Sequence, residues 1–251
     1  MSRIIALFNQ SGGVGKSTLT MNLGYHLQQR KHRVLLVDMD PQGSLTLFMG
    51  LEPSELTETI YDSVIADRPL PIHPNIHGMD LVPANIKLSG AELELVMADM
   101  RDIRLQDALK PVQEQYDFIL IDCPPSLGLL SYISLVSATH VLVPIQTQYK
   151  AFCGTELLLS TVARVKSRAN RELEIAGFVP SMYAKANSQD VRAMTAINEQ
   201  MSQFGKVFPP IPRSTALADA AEAHVPLAEY NKKHPALATL QQVALAIEGL
   251  K

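Results

Sequence analysis

The chain has 251 residues, 47% of them hydrophobic and 19% charged, and 22 Lys+Arg against 25 Asp+Glu leave a formal charge of −3. That length can bury a core without disulfides or a structural metal, and the ordinary composition excludes collagen-like, disulfide-scaffold and disordered classes. A protein that coats nucleic acid constitutively is usually basic overall, so the charge leaves room for a local basic patch and no more. The two cysteines, Cys123 and Cys153, fit a reducing compartment better than a stapled secreted fold. Met1-Ser2-Arg3 leads straight into a strand-like run, so no signal peptide is expected. No apolar stretch approaches the roughly 18 residues that cross a bilayer. A soluble cytoplasmic protein is expected.

In chain order, the strand expectations are Ile4–Phe8, Arg33–Val37, Met79–Val82, Phe118–Ile121, His140–Ile145 and Ile175–Val179. Most are nearly continuous apolar runs, the pattern of a parallel strand buried on both faces. Between them lie helix-like segments over Ser17–Gln29, Gly90–Met97, Leu105–Gln115, Gly154–Arg168 and Asp190–Phe204. The alternation predicts an α/β fold with a mostly parallel sheet flanked by helices on both faces. No repeat or Gly/Ser linker divides it, so residues 1–251 are read as a single domain. Asp67–His77, with Pro69, Pro71 and Pro74, is expected to be a loop within that domain.

The strongest chemical signal is Asn9-Gln10-Ser11-Gly12-Gly13-Val14-Gly15-Lys16-Ser17-Thr18, placed after the first strand and opening a helix. Glycines let successive backbone N–H groups turn inward on phosphate oxygens, and the helix beginning near Ser17 adds its positive dipole end. Lys16 can reach β- and γ-phosphates, and the Ser17 hydroxyl is placed for Mg²⁺. The usual phosphate-loop pattern has a glycine where this chain has Gln10, so the loop is of the deviant form. Val34-Leu35-Leu36-Val37-Asp38-Met39-Asp40 delivers two carboxylates at a strand's C-terminal end, where parallel sheets bind ligands. Period-two alternation puts Asp38 and Asp40 on one side if the strand continues that far. Phe118-Ile119-Leu120-Ile121-Asp122 is a second apolar strand ending in a carboxylate, the form of a Walker B segment, with Asp122 supporting Mg²⁺ through its water shell.

Together these residues resemble the ParA/MinD family of P-loop ATPases. Ser11–Ser17, Asp38-Met39-Asp40-Pro41-Gln42-Gly43 and Ile121–Ser126 correspond to its three nucleotide motifs. Leu81–Asn85, Leu88–Leu93, Val143–Gln146, Ser181–Tyr183 and Ile211–Arg213 resemble its later landmarks, so the likeness covers nearly the whole chain. The resemblance implies a nucleotide site formed by Ser11, Gly12, Gly13, Val14, Gly15, Lys16, Ser17 and Thr18. It places Asp38 and Asp40 near the attacking water, with Asp38 counted beside Ser17 and Asp122 at the metal. It sets Met182 and Pro212 near the adenine. It further implies ATP and Mg²⁺ as cofactors, and an ATP-sandwich homodimer as the working unit.

One position departs from the family pattern. Ser11 stands where a signature lysine reaches across the dimer to the partner's phosphates. Phosphoryl transfer needs a cation at its transition state, so either hydrolysis is weak or another residue supplies the charge. Lys150, just past the His140–Ile145 strand, is the candidate, with a solvated surface lysine as the alternative. Serine at this position resembles the branch that distributes carboxysomes along the bacterial nucleoid.

Arg164, Arg168 and Arg171 follow i, i+4, i+7 with Lys166 nearby, and Lys185, Arg192 and Arg213 are further basic residues of the C-terminal half. Such a stripe neutralises phosphates, and a dimer doubles it; each residue alone could equally belong to a solvated helix face. With no interleaved aromatics, the expected partner is non-specific double-stranded DNA and not single strands or RNA. The same fold can bridge an iron–sulfur cluster, but Cys123 follows Asp122 in a buried strand end and is read as an incidental thiol. Pro74 and Gly78 disfavour a metal-binding helix face through His73 and His77. Pro235–Lys251 lacks the basic amphipathic character of a membrane anchor and is read as a helix packed on the domain.

The leading expectation is an ATP-dependent positioning protein. ATP drives dimerisation and DNA affinity, and a stimulating cargo-adaptor protein triggers hydrolysis and release. The cargo is a carboxysome, or else a plasmid or chromosome locus. The alternatives are a biosynthetic ligase such as a dethiobiotin synthetase, and a membrane-bound division-site regulator.

Overall fold

The computed structural model describes residues 2–148 and 154–250. Seven strands form one sheet in the order β3-β4-β2-β5-β1-β6-β7. They are β1 (Arg3–Leu7), β2 (Val34–Asp38), β3 (His73–Ile76), β4 (Met79–Val82), β5 (Phe118–Asp122), β6 (His140–Gln146) and β7 (Glu174–Ser181). Every pairing is parallel except β3 with β4. The central strands are apolar at consecutive positions because both faces are covered. Ile4, Ala6, Leu35, Val37, Ile119 and Ile121 point into one core, and Ile5, Leu7, Val34, Leu36, Phe118 and Leu120 into the other.

The first core is closed by α3 (Ile60–Ala66), α4 (Leu88–Met97), α5 (Arg104–Leu109), α6 (Leu129–Ser137), α7 (Thr155–Arg168) and α8 (Ser188–Met201). The second is closed by α1 (Lys16–Gln29), α2 (Ser44–Phe48), α9 (Ala216–Glu222), α10 (Leu227–Tyr230) and α11 (Ala236–Glu248). The expected α/β sandwich is therefore observed. α11 buries Leu240, Val243, Ala244 and Ile247 in the second core. Among the described residues no helix is long and apolar enough to cross a membrane.

Two expectations are corrected. The segment 67–77 is not all loop, since His73–Ile76 forms an antiparallel edge strand with Ile76 opposite Met79. Its turn residues His77 and Gly78 both have positive φ, 51° and 77°, the conformation of a two-residue hairpin turn. Pro74 hid the strand in the sequence, yet an edge strand tolerates proline because it needs no donor on its open side. The helix expected over Leu105–Gln115 stops at Leu109, and a separate 3-10 turn covers Gln113–Gln115. Pro111 has no backbone N–H to continue the helical bonding, so the helix ends there even though Lys110 keeps helical angles, φ −51° and ψ −43°.

The β6–β7 pairing carries an irregularity that positions the site. Val141 pairs with Ile175 but Leu142 with Gly177, so one residue bulges out before β7 runs on toward Ser181. Gly177 has φ 148°, and a Cβ there would meet the Lys206 carbonyl oxygen at 2.7 Å and the Phe208 ring at 2.6 Å. Gly177→Ala is expected to cost roughly 2 kcal/mol or more. An unchanged urea midpoint would show that the bulge relaxes freely.

Candidate functional site

The site lies at the C-terminal ends of β1, β2 and β5. The loop 9–15 leaves β1 and turns into α1 through Gly13 and Gly15, whose φ values are 70° and 91°. These left-handed conformations favour glycine, and they curl the backbone N–H groups around an open centre. Gly15 caps α1 with no side-chain partner for the first-turn donors, so these N–H groups face the same place. Asn9 braces the loop from below: its Nδ2 donates to the Pro144 carbonyl at 2.6 Å and its Oδ1 accepts from Ser11 N at 2.9 Å. Lys16 is buried and its Nζ donates to the Asn9 and Ser11 carbonyls, each at 3.1 Å. Burial lowers its pKa, while Asp122, Cys123 and Asp40 oppose that.

Asp38 and Asp122 are direct register neighbours on β2 and β5, and both are fully buried. They meet their burial differently. Asp38 accepts from Thr46 Oγ1 at 2.7 Å, Thr46 N at 2.9 Å and Asp40 N at 3.0 Å. Desolvation still raises its carboxyl to about 7, against the lowering effect of those bonds. Among the described residues neither oxygen of Asp122 has a hydrogen-bond partner. Burial and the adjacent Asp38 push its pKa well up, and the nearby Ser17 hydroxyl and Lys16 ammonium relieve part of that. Asp40 is nearly buried, with Oδ1 accepting from Gln42 N at 2.9 Å.

A buried, unpartnered carboxylate beside a hydroxyl and an anion-binding loop fits a divalent cation. Among the described residues no group of three or more His, Cys, Asp and Glu could hold a metal by itself. Asp122 and Ser17 would therefore share the ion with phosphate and water oxygens, as Mg²⁺ prefers. The residues fit Mg²⁺ bound to a nucleoside triphosphate.

A cavity of about 620 Å³ opens beside the loop, lined by Val14, Gly15 and Thr18 on one side and by Met182, Ile211 and Pro212 on the other. The Ser181 hydroxyl donates to the Val14 carbonyl at 2.9 Å and ties β7 to the phosphate loop. Met182 has φ 56°, an uncommon conformation for a residue with a side chain. Met182 and Pro212, far apart in sequence, thus share one chamber next to the loop.

The seven basic residues divide among three places. Arg164, Lys166 and Arg168 lie exposed on α7, with Arg171 exposed just beyond it. Lys185 and Arg192 are exposed around the start of α8. Arg213 lines the cavity and pairs with the buried Asp190 at 3.7 Å, which sets it apart from the α7 stripe. Lys150 and Cys153 lie outside the described residues. Cys123 is fully buried, and desolvation with the Asp122 charge pushes its thiol up to about 12.

Sequence reasoning overlooked Thr46, whose hydroxyl also accepts from Ala84 N at 2.9 Å, along with the Asn9 and Ser181 braces. It also noted Gln10 only as a missing glycine, whereas its Nε2 donates to the Gly154 carbonyl at 2.8 Å and links the loop to α7. Asn9 could have been found from its place at the loop's entrance; Thr46 and Ser181 carry no local signal.

A family model described as "AAA domain" matches residues 2–175. The chromosome partitioning protein ParA of Myxococcus xanthus is 41% identical over 239 residues, covering 93% of this chain and 83% of that one. The chain belongs to the ParA/MinD family of P-loop ATPases. As a member of this family it is an ATPase. The sporulation initiation inhibitor Soj of Bacillus subtilis is 37% identical over 237 residues, or 93% of each chain. Among solved structures, cobyrinic acid a,c-diamide synthase from Mycobacterium smegmatis, with bound ADP and magnesium, superposes with a TM-score of 0.87 at 32% identity, covering 99% of this chain and 94% of that one. The Cyanothece McdA(D38A)–ATP complex also gives 0.87, at 26% identity, covering 100% of this chain and 97% of that one.

The carboxylate pair sets a pH signature of this ATPase site. Because burial raises both acids, the folded chain keeps protons that the unfolded chain releases above the ordinary carboxyl value of 3.8. Their contribution to stability is therefore largest at low pH and falls as pH rises toward the folded values. In metal- and nucleotide-free protein, Asp122→Asn removes its share. Its stability gain over the parent in urea should grow as the pH rises above the ordinary carboxyl value of 3.8 toward neutrality. A difference that stays flat across that range would contradict the buried-charge account.

Proposed function

We propose that this ATPase binds Mg²⁺·ATP in the 9–18 loop, dimerises around two nucleotides, holds non-specific duplex DNA in that state, and lets go when a partner stimulates hydrolysis. The observation that carries the reading is the unpartnered, fully buried Asp122 beside an open nest of N–H groups. Such an arrangement is costly for the chain's own groups and would be satisfied by a metal-bound phosphate chain. The backbone of Gly12, Gly13, Val14 and Gly15 with Ser17 and Thr18 holds the phosphates, and Lys16 exchanges its two carbonyl partners for phosphate oxygens. Asp122 and Ser17 support Mg²⁺, which neutralises charge on the phosphates. Asp38, with both oxygens engaged, fixes the turn that presents Asp40 to the attacking water. Met182 and Pro212 flank the base. As water adds to the γ-phosphorus, its bond to the bridging oxygen breaks and ADP and phosphate leave.

The basic side chains on α7 support the DNA reading, since dimerisation doubles a patch too small to hold DNA alone. For the cargo, Ser11 supports carboxysome positioning along the nucleoid, and the structural likeness to McdA agrees. Chromosome or plasmid partition is the second reading, favoured by the higher identity to ParA and Soj. Loss of even carboxysome spacing, against loss of origin segregation, in a deletion strain separates the two.

Lys16→Ala is expected to abolish ATP-driven dimers; dimers that persist in light scattering would contradict the phosphate-loop assignment. Long duplex DNA should be bound with ATP and not with ADP, and an affinity indifferent to nucleotide would defeat the mechanism and favour a biosynthetic ligase. Arg164→Glu with Arg168→Glu should weaken that binding by roughly tenfold or more and flatten its salt dependence. An unchanged salt slope would move the DNA surface elsewhere.

A further inference from the structure

One buried carboxylate has no part in the phosphate chemistry. Asp190, in the first turn of α8, is only 1% exposed. An acid at that place ordinarily complements the helix dipole from the surface, and the dipole alone does not return the solvation that burial removes. Its Oδ2 accepts from Ala184 N at 2.9 Å, six residues back, across the turn that joins β7 to α8. The Arg213 guanidinium lies 3.7 Å from the same oxygen. That is too far for a hydrogen bond and near enough to offset the charge.

The acid thereby reaches the segment 182–184, which walls the cavity beside the phosphate loop. Met182 lines that cavity with φ 56°, and a side-chain-bearing residue keeps a left-handed conformation only where its surroundings fix it. Here four successive backbone groups are fixed. The Met182 carbonyl accepts from Arg213 Nε at 3.4 Å. Tyr183 N donates to the Ile211 carbonyl at 3.0 Å, and the Tyr183 carbonyl accepts from Arg213 N at 2.9 Å. Ala184 N is the donor to Asp190. Two of these four bonds run through side chains, those of Arg213 and Asp190, and these two side chains pair with each other. The bridge between Tyr183 and Pro212 brings Pro212 to the same wall. Beyond it, Asn187 N closes the turn on the Ala184 carbonyl at 2.9 Å, so the bonding runs through to α8.

We propose that Asp190 is a positioning residue for the nucleotide base. With Arg213 it holds Met182 in its left-handed conformation and so sets the wall on which the base lies. The proposal rests on the reading that Met182 and Pro212 flank the base, and it names what keeps that wall in shape. A wall fixed in this way raises affinity because binding spends nothing on ordering it. Among the described residues Asp190 makes no hydrogen bond to the phosphate loop or to Asp122. Its loss therefore costs the base and spares the phosphates.

The test separates base from phosphates. Affinities of ADP and of pyrophosphate, which carries phosphates and no base, are measured on the full chain with Mg²⁺ by displacement of fluorescent ADP. Asp190→Ala should weaken ADP by roughly tenfold and leave pyrophosphate within about twofold. Asp190→Asn keeps an acceptor for Ala184 N but loses the charge facing Arg213, so it should recover part of the loss and weaken ADP by about threefold. Equal losses for the two ligands, or an ADP affinity untouched by the alanine, would overturn the proposal and leave Asp190 as an acid that only supports α8. If the alanine variant does not fold, the asparagine variant decides, and a ratio of ADP to pyrophosphate affinity equal to the parent's overturns the proposal. A parent that binds ADP no tighter than pyrophosphate would sink the underlying base reading. A parent preference for ADP that survives in both variants would sink the positioning role alone.

Discussion

Two carboxylates buried side by side govern this molecule. Asp38 and Asp122 sit opposite each other on adjacent strands, out of water and within one another's field. Asp38 accepts three hydrogen bonds and is thereby held, while Asp122 accepts none among the described residues. Lys16 eases the charge but donates to loop carbonyls, so the chain's own groups leave the site electrostatically incomplete. In the proposed reading a phosphate chain on the open N–H groups and a cation on Asp122 would complete it together. The fold keeps this arrangement because its cost is spread over two well-packed cores.

The same centre is wired to the rest of the chain by a few side-chain bonds. Thr46 joins Asp38 to Ala84, on the approach to α4. Asn9 and Gln10 hold the Pro144 and Gly154 carbonyls, on either side of the β6–α7 connection. Ser181 holds the loop against β7. These bonds join the loop directly to the start of α7, which carries the exposed arginines, and to the lining of the cavity. The charge of −3 takes its meaning from this placement. It counts aspartates sealed inside the site, while the outer side of α7 is basic.

The elements that sequence revealed are those with local causes. The central strands read as apolar runs because both their faces are covered, and the loop at 9–18 is legible since its glycines, lysine and serine are contiguous. Asp122 was legible as the carboxylate ending an apolar strand. Other features had non-local causes. β3 was masked by Pro74, which only an edge position tolerates. α6, whose serines donate back to carbonyls one turn earlier, lay unmarked between two strands. Arg213 was grouped with the basic stripe by composition, and only the strand-end geometry at Tyr183 and Pro212 shows it at the cavity beside Asp190.

By itself, then, the sequence determined the layered α/β class, the phosphate loop and the three carboxylates at and just beyond two strand ends, because apolar periodicity and turn chemistry depend on near neighbours in the chain. Tertiary structure alone decided the order of the strands. That order made Asp38 and Asp122 neighbours, left one of them without a partner, and brought Met182 and Pro212 to one cavity. These features depend on which segments lie side by side, and the register between strands distant in sequence is set by the whole packed core, beyond what any local pattern encodes.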